Sequence, residues 1–144
     1  MPFISNIPRF CVPLAHHYDP GCNSTLISIN DVGDEPPIPK FPFRNIHAFY
    51  FLDLDNSNIA GDPELEAVAI NKEQGAAIAT ILRTALANNT NVIVHCTAGV
   101  CRSGAIVEAG VRLGFVDAEE YRAPNQRVLA YVLEPLGLTH GYEK

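Results

Sequence analysis

The stretch that spans residues 91–103, N-V-I-V-H-C-T-A-G-V-C-R-S, constrains the fold of this chain more than any other. It opens with a β-branched run at residues 92–94, a composition that favours a buried strand. The segment that follows Arg102 is rich in alanine and aliphatic residues and has the character of a helix. The pattern therefore predicts that Cys96 lies where a strand ends and that Arg102 lies where a helix begins.

A junction of strand, turn and helix is well suited to binding an anion. The first backbone N–H groups of a helix have no partner within the helix, and they carry the positive end of its macrodipole. A phosphate or a thiolate in front of them is therefore stabilised, and Arg102 adds a planar guanidinium that can bind two phosphate oxygens at once. The candidate nucleophile is Cys96. The candidate phosphate-binding residues are Thr97, Ala98, Gly99, Val100, Cys101 and Arg102.

With a strand before it, a helix after it and Gly99 in the turn, this segment resembles the signature loop of the cysteine-dependent protein tyrosine phosphatase superfamily, His-Cys-x5-Arg-Ser/Thr. The matching residues are His95, Cys96, Arg102 and Ser103. The centre of the turn, residues 98–100, is most similar to the compact dual-specificity branch and its small bacterial and phage relatives. The resemblance covers about residues 25–138. Within that range Asn125 and the proline before it match a pair that commonly leads into the last helix of the branch.

The resemblance implies a metal-independent phosphomonoester hydrolase that acts through a cysteinyl-phosphate intermediate and uses no cofactor. Cys96 is the implied nucleophile, and Arg102 is the implied phosphate-binding cation. Ser103 is implied to hydrogen-bond the sulfur and to assist breakdown of the intermediate. His95 is implied to orient the loop through hydrogen bonds, as Asn125 is implied to support the site from outside it.

An aspartic acid is needed to protonate the leaving oxygen, and the family places it just past the strand that precedes the long helix. Residues 46–54 are apolar and aromatic and then acidic, so they predict that strand. Ligands of open α/β sheets sit beyond the carboxyl ends of the strands, which should bring these carboxylates to the same side as Cys96. Asp55 is the first candidate for the acid, Asp53 the second, and Asp62, in the next loop, the third.

The remaining pattern predicts one α/β domain over residues 1–144, with a central, mostly parallel sheet of about four to five strands flanked by helices. The expected strands are at residues 3–4, 9–12, 25–29, 46–54 and 92–96. The expected helices are at residues 72–88, 102–113, 117–122 and 126–136, with one further helical turn at residues 64–67.

Composition narrows the expected partners and compartment. The net charge is −6 and the chain has no basic run, so neither nucleic acid nor an anionic membrane is an expected partner. We expect no secretory leader, and no apolar run approaches the ~20 residues of a membrane helix. The four cysteines show no zinc spacing, and a thiolate enzyme suits a reducing, cytoplasmic location. His16 and His17 are expected to be loop residues that share no metal, because neighbouring side chains diverge.

Several alternatives remain open at this point. The loop contains no lysine, which a pocket for polyphosphorylated lipids usually has, so a phosphoprotein or phosphopeptide is the expected substrate. The pattern does not separate a tyrosine-only from a dual-specificity enzyme, and it says nothing of the oligomeric state. A silent phosphate-binding module, a sulfurtransferase or an arsenate reductase could use the same loop. Cys101, where the family more often has serine, is either a spectator or a reversible disulfide partner of Cys96.

Overall fold

A computed structural model describes residues 1–14 and 18–138, so the predicted loop histidines His16 and His17 lie outside the described residues. The strands are β1 (Phe3–Pro8), β2 (Ser24–Asn30), β3 (Asn45–Tyr50), β4 (Asn91–Cys96) and β5 (Val116–Asp117). The helices are α1 (Asn56–Ile59), α2 (Pro63–Val68), α3 (Lys72–Ala87), α4 (Arg102–Leu113) and α5 (Gln126–Leu136). The strands form one all-parallel sheet in the order β3-β2-β4-β1-β5, which confirms the predicted α/β class and parallel sheet. None of the helices in the described ranges is long and apolar enough to cross a membrane.

β4 is the central strand of the sheet. All but its first residue are buried, and Ile27 of β2 and Asn6 of β1 lie opposite Val94. Side chains alternate between the two faces of a strand, so Val94 and Cys96 project into the larger core, which α3, α4 and α5 complete. Ile93 projects into a smaller core on the other face. Cys96 therefore stands at the carboxyl end of the central strand.

The first turn of α5 is positioned by its packing against α3. The two helices approach closely at Gly75, where a Cβ atom would lie 2.4 Å from the backbone oxygen of Tyr131. α3 begins after Asn71, whose side chain accepts a hydrogen bond from the Gln74 N–H at 2.8 Å and so caps the helix. α5 begins after Asn125, whose side-chain oxygen caps the helix. The tight α3–α5 contact therefore lies within the helix that Asn125 caps.

The N-terminal segment differs from its predicted structure. The predicted strand at residues 9–12 is wrong, because Arg9–Cys11 form a 3₁₀ helix whose turn is closed by a Val12 N–H bond to the Arg9 oxygen. Pro8 and Pro13 flank this segment and have no N–H to offer to a sheet ladder. The predicted short strand before it is confirmed and is longer than expected, because Ile4–Pro8 pair with β4 and Phe3 pairs with β5.

The strand that was predicted to carry the acidic residues is shorter than expected. β3 ends at Tyr50, and the Leu52 N–H then bonds to the Val68 oxygen at 2.8 Å instead of continuing the ladder with β2. Asp53 and Asp55 therefore lie in the connection that follows the strand and not on the strand itself. This connection also contains two short helices, α1 and α2, where the sequence predicts mostly loop with one helical turn.

The helix predicted at residues 117–122 is wrong. β5 occupies its start and pairs with β1, and the Ala118 N–H bonds to the Ile4 oxygen at 3.3 Å. Asp117 accepts the Glu119 N–H, as a capping residue would, but it also forms a salt bridge with Arg122 at 3.0 Å. A six-residue helix is marginal by itself, so sheet pairing and this ion pair determine the structure.

Candidate functional site

The loop between β4 and α4, residues 97–101 and here called the β4–α4 loop, is held tightly against the end of β1. Gly99 has a φ of +75°, and a Cβ atom on it would lie 2.3 Å from the Pro8 nitrogen, so only glycine fits. The Asn6 side-chain amide donates to the Gly99 oxygen at 2.7 Å. The Arg9 N–H donates to the Thr97 oxygen at 3.2 Å. The predicted turn glycine is thus required both by conformation and by space.

The sulfur of Cys96 lies at the base of this loop. Its residue is only 2% exposed, and the Gly99 N–H points at the sulfur from 3.3 Å. The Ser103 hydroxyl lies 3.2 Å from the same sulfur and is fully buried. The structure therefore brings together Cys96 and Ser103, and two hydrogen-bond donors converge where a thiolate would carry its charge.

Arg102 is the first residue of α4, and the residue as a whole is almost completely buried, at 4% exposure. Nη1 donates to Asp31 Oδ1 at 2.7 Å and to the Phe51 oxygen at 2.8 Å, and Nη2 donates to Thr97 Oγ1 at 3.0 Å. Nε is buried and has no hydrogen-bond partner among the described residues. Nε thus keeps an unused donor on the same edge of the guanidinium as Nη2, which bonds to Thr97 of the loop, and this edge has the donor geometry that binds an oxyanion at two oxygens.

His95 lies behind the loop as a neutral, fully buried residue. Its Nε2 hydrogen-bonds with Ser28 Oγ, which also accepts from the Asn30 side chain at 3.1 Å. Burial lowers the pKa of His95 to about 4, and the charges of Arg9 and Arg102 act in the same direction. At neutral pH the imidazole is thus uncharged, which suits the orienting role expected for it.

Asp53 lies beside the last residue of the loop. The Asn125 amide donates to Asp53 Oδ1 at 2.8 Å, while the Asn125 backbone N–H donates to the Cys101 oxygen at 3.0 Å. Burial raises the pKa of the Cys101 thiol, and the adjacent Asp53 carboxylate raises it further through its charge and a side-chain hydrogen bond. Asn125 thus joins the candidate acid to the β4–α4 loop from the start of α5.

Asp55 and Asp62 have different surroundings. Asp55 caps α1 and accepts hydrogen bonds from the Ser57 hydroxyl at 2.7 Å and from two backbone N–H groups. The Ser57 hydroxyl is the main reason why the pKa of Asp55 is lowered. Asp62 caps α2 through the Glu64 N–H at 2.9 Å. In the described part of the chain, Asp55 and Asp62 both bond to groups of the helices that they cap. Of the three candidate acids, only Asp53 is connected to the β4–α4 loop, through Asn125.

No protein-family model matches this chain. A search of curated proteins likewise finds no relative. Within residues 1–14 and 18–138, no three His, Cys, Asp or Glu side chains are grouped as a metal site.

Two residues at the site were not singled out by the sequence patterns. Asp31, which the sequence places only in a proline-rich loop, forms the salt bridge to Arg102. A signal did exist, because Asp31 directly follows β2 at the carboxyl edge of the sheet, the same position that drew attention to Asp53. Asn6 supports Gly99 from β1, in a part of the chain outside the family resemblance, and no sequence pattern indicates it.

A third residue, Arg127, holds the connection between β3 and α3, residues 51–70 and here called the acid segment. Its buried guanidinium forms a salt bridge with Glu66 at 2.6 Å, bonds to the Ile70 oxygen, and donates to Asn56 at 2.9 Å. The first turn of α5 therefore holds the acid segment through two side chains, those of Asn125 and Arg127. The sequence carries no short-range signal for these contacts, because the partners are 57 or more positions apart.

Proposed function

We propose that this chain hydrolyses phosphomonoesters through a cysteinyl-phosphate intermediate, as a protein tyrosine or dual-specificity phosphatase does. One observation carries the proposal: the Cys96 sulfur, with two donors on it, shares a loop with a buried arginine whose Nε has no partner in the described structure. A buried cation with an unused donor is costly unless an anion completes its hydrogen bonds. A tetrahedral phosphate above the sulfur would do so.

In the first step the Cys96 thiolate attacks phosphorus, so an S–P bond forms while the P–O bond to the leaving group breaks. The equatorial oxygens accept hydrogen bonds from the Arg102 edge and from backbone N–H groups of the loop, which stabilises the charge of the transition state. Asp53, in its protonated form, gives its proton to the departing oxygen. The products of this step are the dephosphorylated alcohol or phenol and the cysteinyl-phosphate.

In the second step water attacks the same phosphorus and the S–P bond breaks. The Asp53 carboxylate, now ionised, takes a proton from the attacking water. The Ser103 hydroxyl, 3.2 Å from the sulfur, donates a hydrogen bond to the thiolate as it leaves. Inorganic phosphate is released, and both Cys96 and Asp53 return to their initial states.

The choice of Asp53 over Asp55 and Asp62 rests on their hydrogen-bond partners. A general acid must reach the leaving oxygen while it carries a proton. The ionised form of Asp55 is favoured by its capping bonds, which lower its pKa, and its carboxylate is committed to α1. Asp53 is exposed, has one tether through Asn125 and lies next to Cys101. We therefore propose that Asp53, the second candidate from the sequence, is the general acid in place of Asp55, the first.

The substrate class that we propose is a phosphoprotein or phosphopeptide. The β4–α4 loop, residues 97–101, contributes no lysine to bind additional phosphates, which argues against polyphosphorylated lipids. The cation that directly follows the loop is Arg102, and it forms an ion pair with Asp31. We also propose a reducing compartment, because the four cysteines are free and the mechanism requires Cys96 to stay unoxidised.

The decisive experiment is turnover of p-nitrophenyl phosphate in the presence of EDTA, followed by a phosphopeptide panel. We expect metal-independent release of phosphate, inhibition by vanadate, and a trapped phosphoryl adduct on Cys96 in rapidly quenched samples. Cys22→Ser is the matched control, since Cys22 is an exposed free thiol that lies outside the β4–α4 loop. Vanadate binding without turnover would favour a silent phosphate-binding module. If the protein turns over thiosulfate or arsenate but does not hydrolyse phosphoesters, the result would favour a sulfurtransferase or an arsenate reductase.

A further inference from the structure

Asp31 stands out because it is the only carboxylate that contacts the Arg102 guanidinium among the described residues. It directly follows β2, in a turn closed by the Asp34 N–H bond to the Asp31 oxygen at 3.1 Å. Its side chain is 40% exposed, whereas that of Arg102 is 5% exposed. A nearly buried cation is thus held by a carboxylate at the surface.

The contacts of Nη1 define how the guanidinium is oriented. Its two hydrogens are used by Asp31 Oδ1 and by the Phe51 oxygen, at 2.7 and 2.8 Å. The planar group cannot rotate without breaking both bonds, so Nε and the remaining Nη2 hydrogen are held on the opposite side. That side is next to Thr97 Oγ1, within the loop.

We propose that Asp31 is a positioning residue, which fixes Arg102 so that its Nε–Nη2 edge faces the phosphate. This inference rests on the proposed function and extends it to a residue that does not touch the substrate. Two effects of Asp31 oppose each other: its charge repels an incoming dianion, while its hydrogen bond pre-orients the arginine. The orienting effect is the larger of the two. A misdirected donor in a preorganised site weakens phosphate binding more than the loss of repulsion from one solvent-exposed carboxylate strengthens it.

The two effects predict opposite signs, which makes the inference testable. We expect Asp31→Ala to lower kcat/KM for p-nitrophenyl phosphate about 100-fold and to weaken vanadate binding by a factor of about 10 or more. Asp31→Asn should stay within about 5-fold of the wild type, because its amide oxygen can accept the same Nη1 hydrogen bond. Asp34→Ala is the matched control in the same turn and should change neither quantity.

Asp31→Ser provides a second variant if Asp31→Ala folds poorly. It suits the turn but is too short to reach Arg102, so its kinetics should match those expected for alanine. Vanadate that binds to Asp31→Ala as tightly as to the wild type, or more tightly, overturns the inference, since charge relief alone gives that result.

The same measurements separate this inference from the proposed function. A wild-type protein that binds vanadate but hydrolyses no phosphoester overturns the function, and the vanadate comparison among variants then still decides on Asp31. A wild-type protein that binds no oxyanion overturns both. Normal wild-type turnover with unchanged Asp31→Ala kinetics overturns only the positioning role.

Discussion

The β4–α4 loop and the acid segment contribute the two halves of the proposed chemistry, but they are held in place in different ways. The loop joins the central strand to a buried helix, and Gly99 and Cys96 are constrained by backbone contacts with their immediate surroundings. The acid segment is largely exposed and depends on side chains of α5 that are far away in sequence. The order of strand, loop and helix around Cys96 is therefore encoded locally, whereas the packing of the loop against β1 and the position of the acid partner are tertiary properties.

The largest expected effect concerns the nucleophile half. Cys96→Ser replaces a thiolate with a hydroxyl that is not ionised at neutral pH, so we expect kcat for p-nitrophenyl phosphate to fall by a factor on the order of 10⁵. Steady-state kinetics with the Cys22→Ser control measure this loss. Activity of the serine variant within 10-fold of the wild type would remove Cys96 from the mechanism.

The next effect distinguishes Asp53 from Asp55 within the acid segment. Asp53→Asn should lower kcat by a factor of about 10²–10³ and abolish the alkaline limb of its pH profile, because no proton reaches the leaving oxygen. Asp55→Asn is the matched control: asparagine caps a helix as well as aspartate does, so stability and kcat should change little. The reverse result would restore Asp55 as the acid and show that the acid segment moves when substrate binds.

The pH dependence of stability tests whether His95, which lies behind the β4–α4 loop, is buried and uncharged in the folded chain. The pKa of His95 in the folded chain is about 4, below its ordinary value of 6.5, so the unfolded chain takes up a proton first as the pH falls. The free energy of unfolding should then decrease by about 2 kcal/mol from pH 7 to pH 5, and the loss should be complete near pH 4.

Urea unfolding at these pH values measures the effect, with His95→Gln as the comparison. Glutamine keeps a hydrogen-bonding group near Ser28 but does not titrate, so the decrease between pH 7 and pH 5 should shrink markedly in this variant. An equal decrease in both proteins would assign the pH dependence to other groups.

The smallest expected effect concerns the tether between the two halves. Asn125→Ser retains a capping oxygen for α5 but loses the amide that donates to Asp53 Oδ1. We expect kcat to fall about 10-fold while the melting temperature stays nearly constant, because the acid is no longer held beside the loop. A variant that loses stability but keeps its kcat would show that Asn125 serves α5 alone.

Local patterns in the sequence account for the α/β class, the long helices and the nucleophile loop. Residues 92–94 are apolar and β-branched, and the turn that follows Cys96 needs Gly99, so strand, loop and helix are encoded within about a dozen neighbouring positions. The short elements were predicted less well. A helix was expected at residues 117–122, but β5 forms there and pairs with β1. Local periodicity does not indicate pairing with a strand that is distant in sequence.

What the sequence by itself determined is the candidate nucleophile, Cys96, together with Arg102 and the order of strand and helix around them, because these depend on adjacent residues and on backbone conformation. Only the tertiary structure decided which carboxylates join them. Asp31 reaches Arg102 across 71 positions, and Asp53 reaches Asn125 across 72. Such contacts arise because parallel strands bring their carboxyl ends to one edge of the sheet, and helix packing sets the distance between them. Both strand pairing and helix packing join segments that are distant in sequence, so no single segment predicts them.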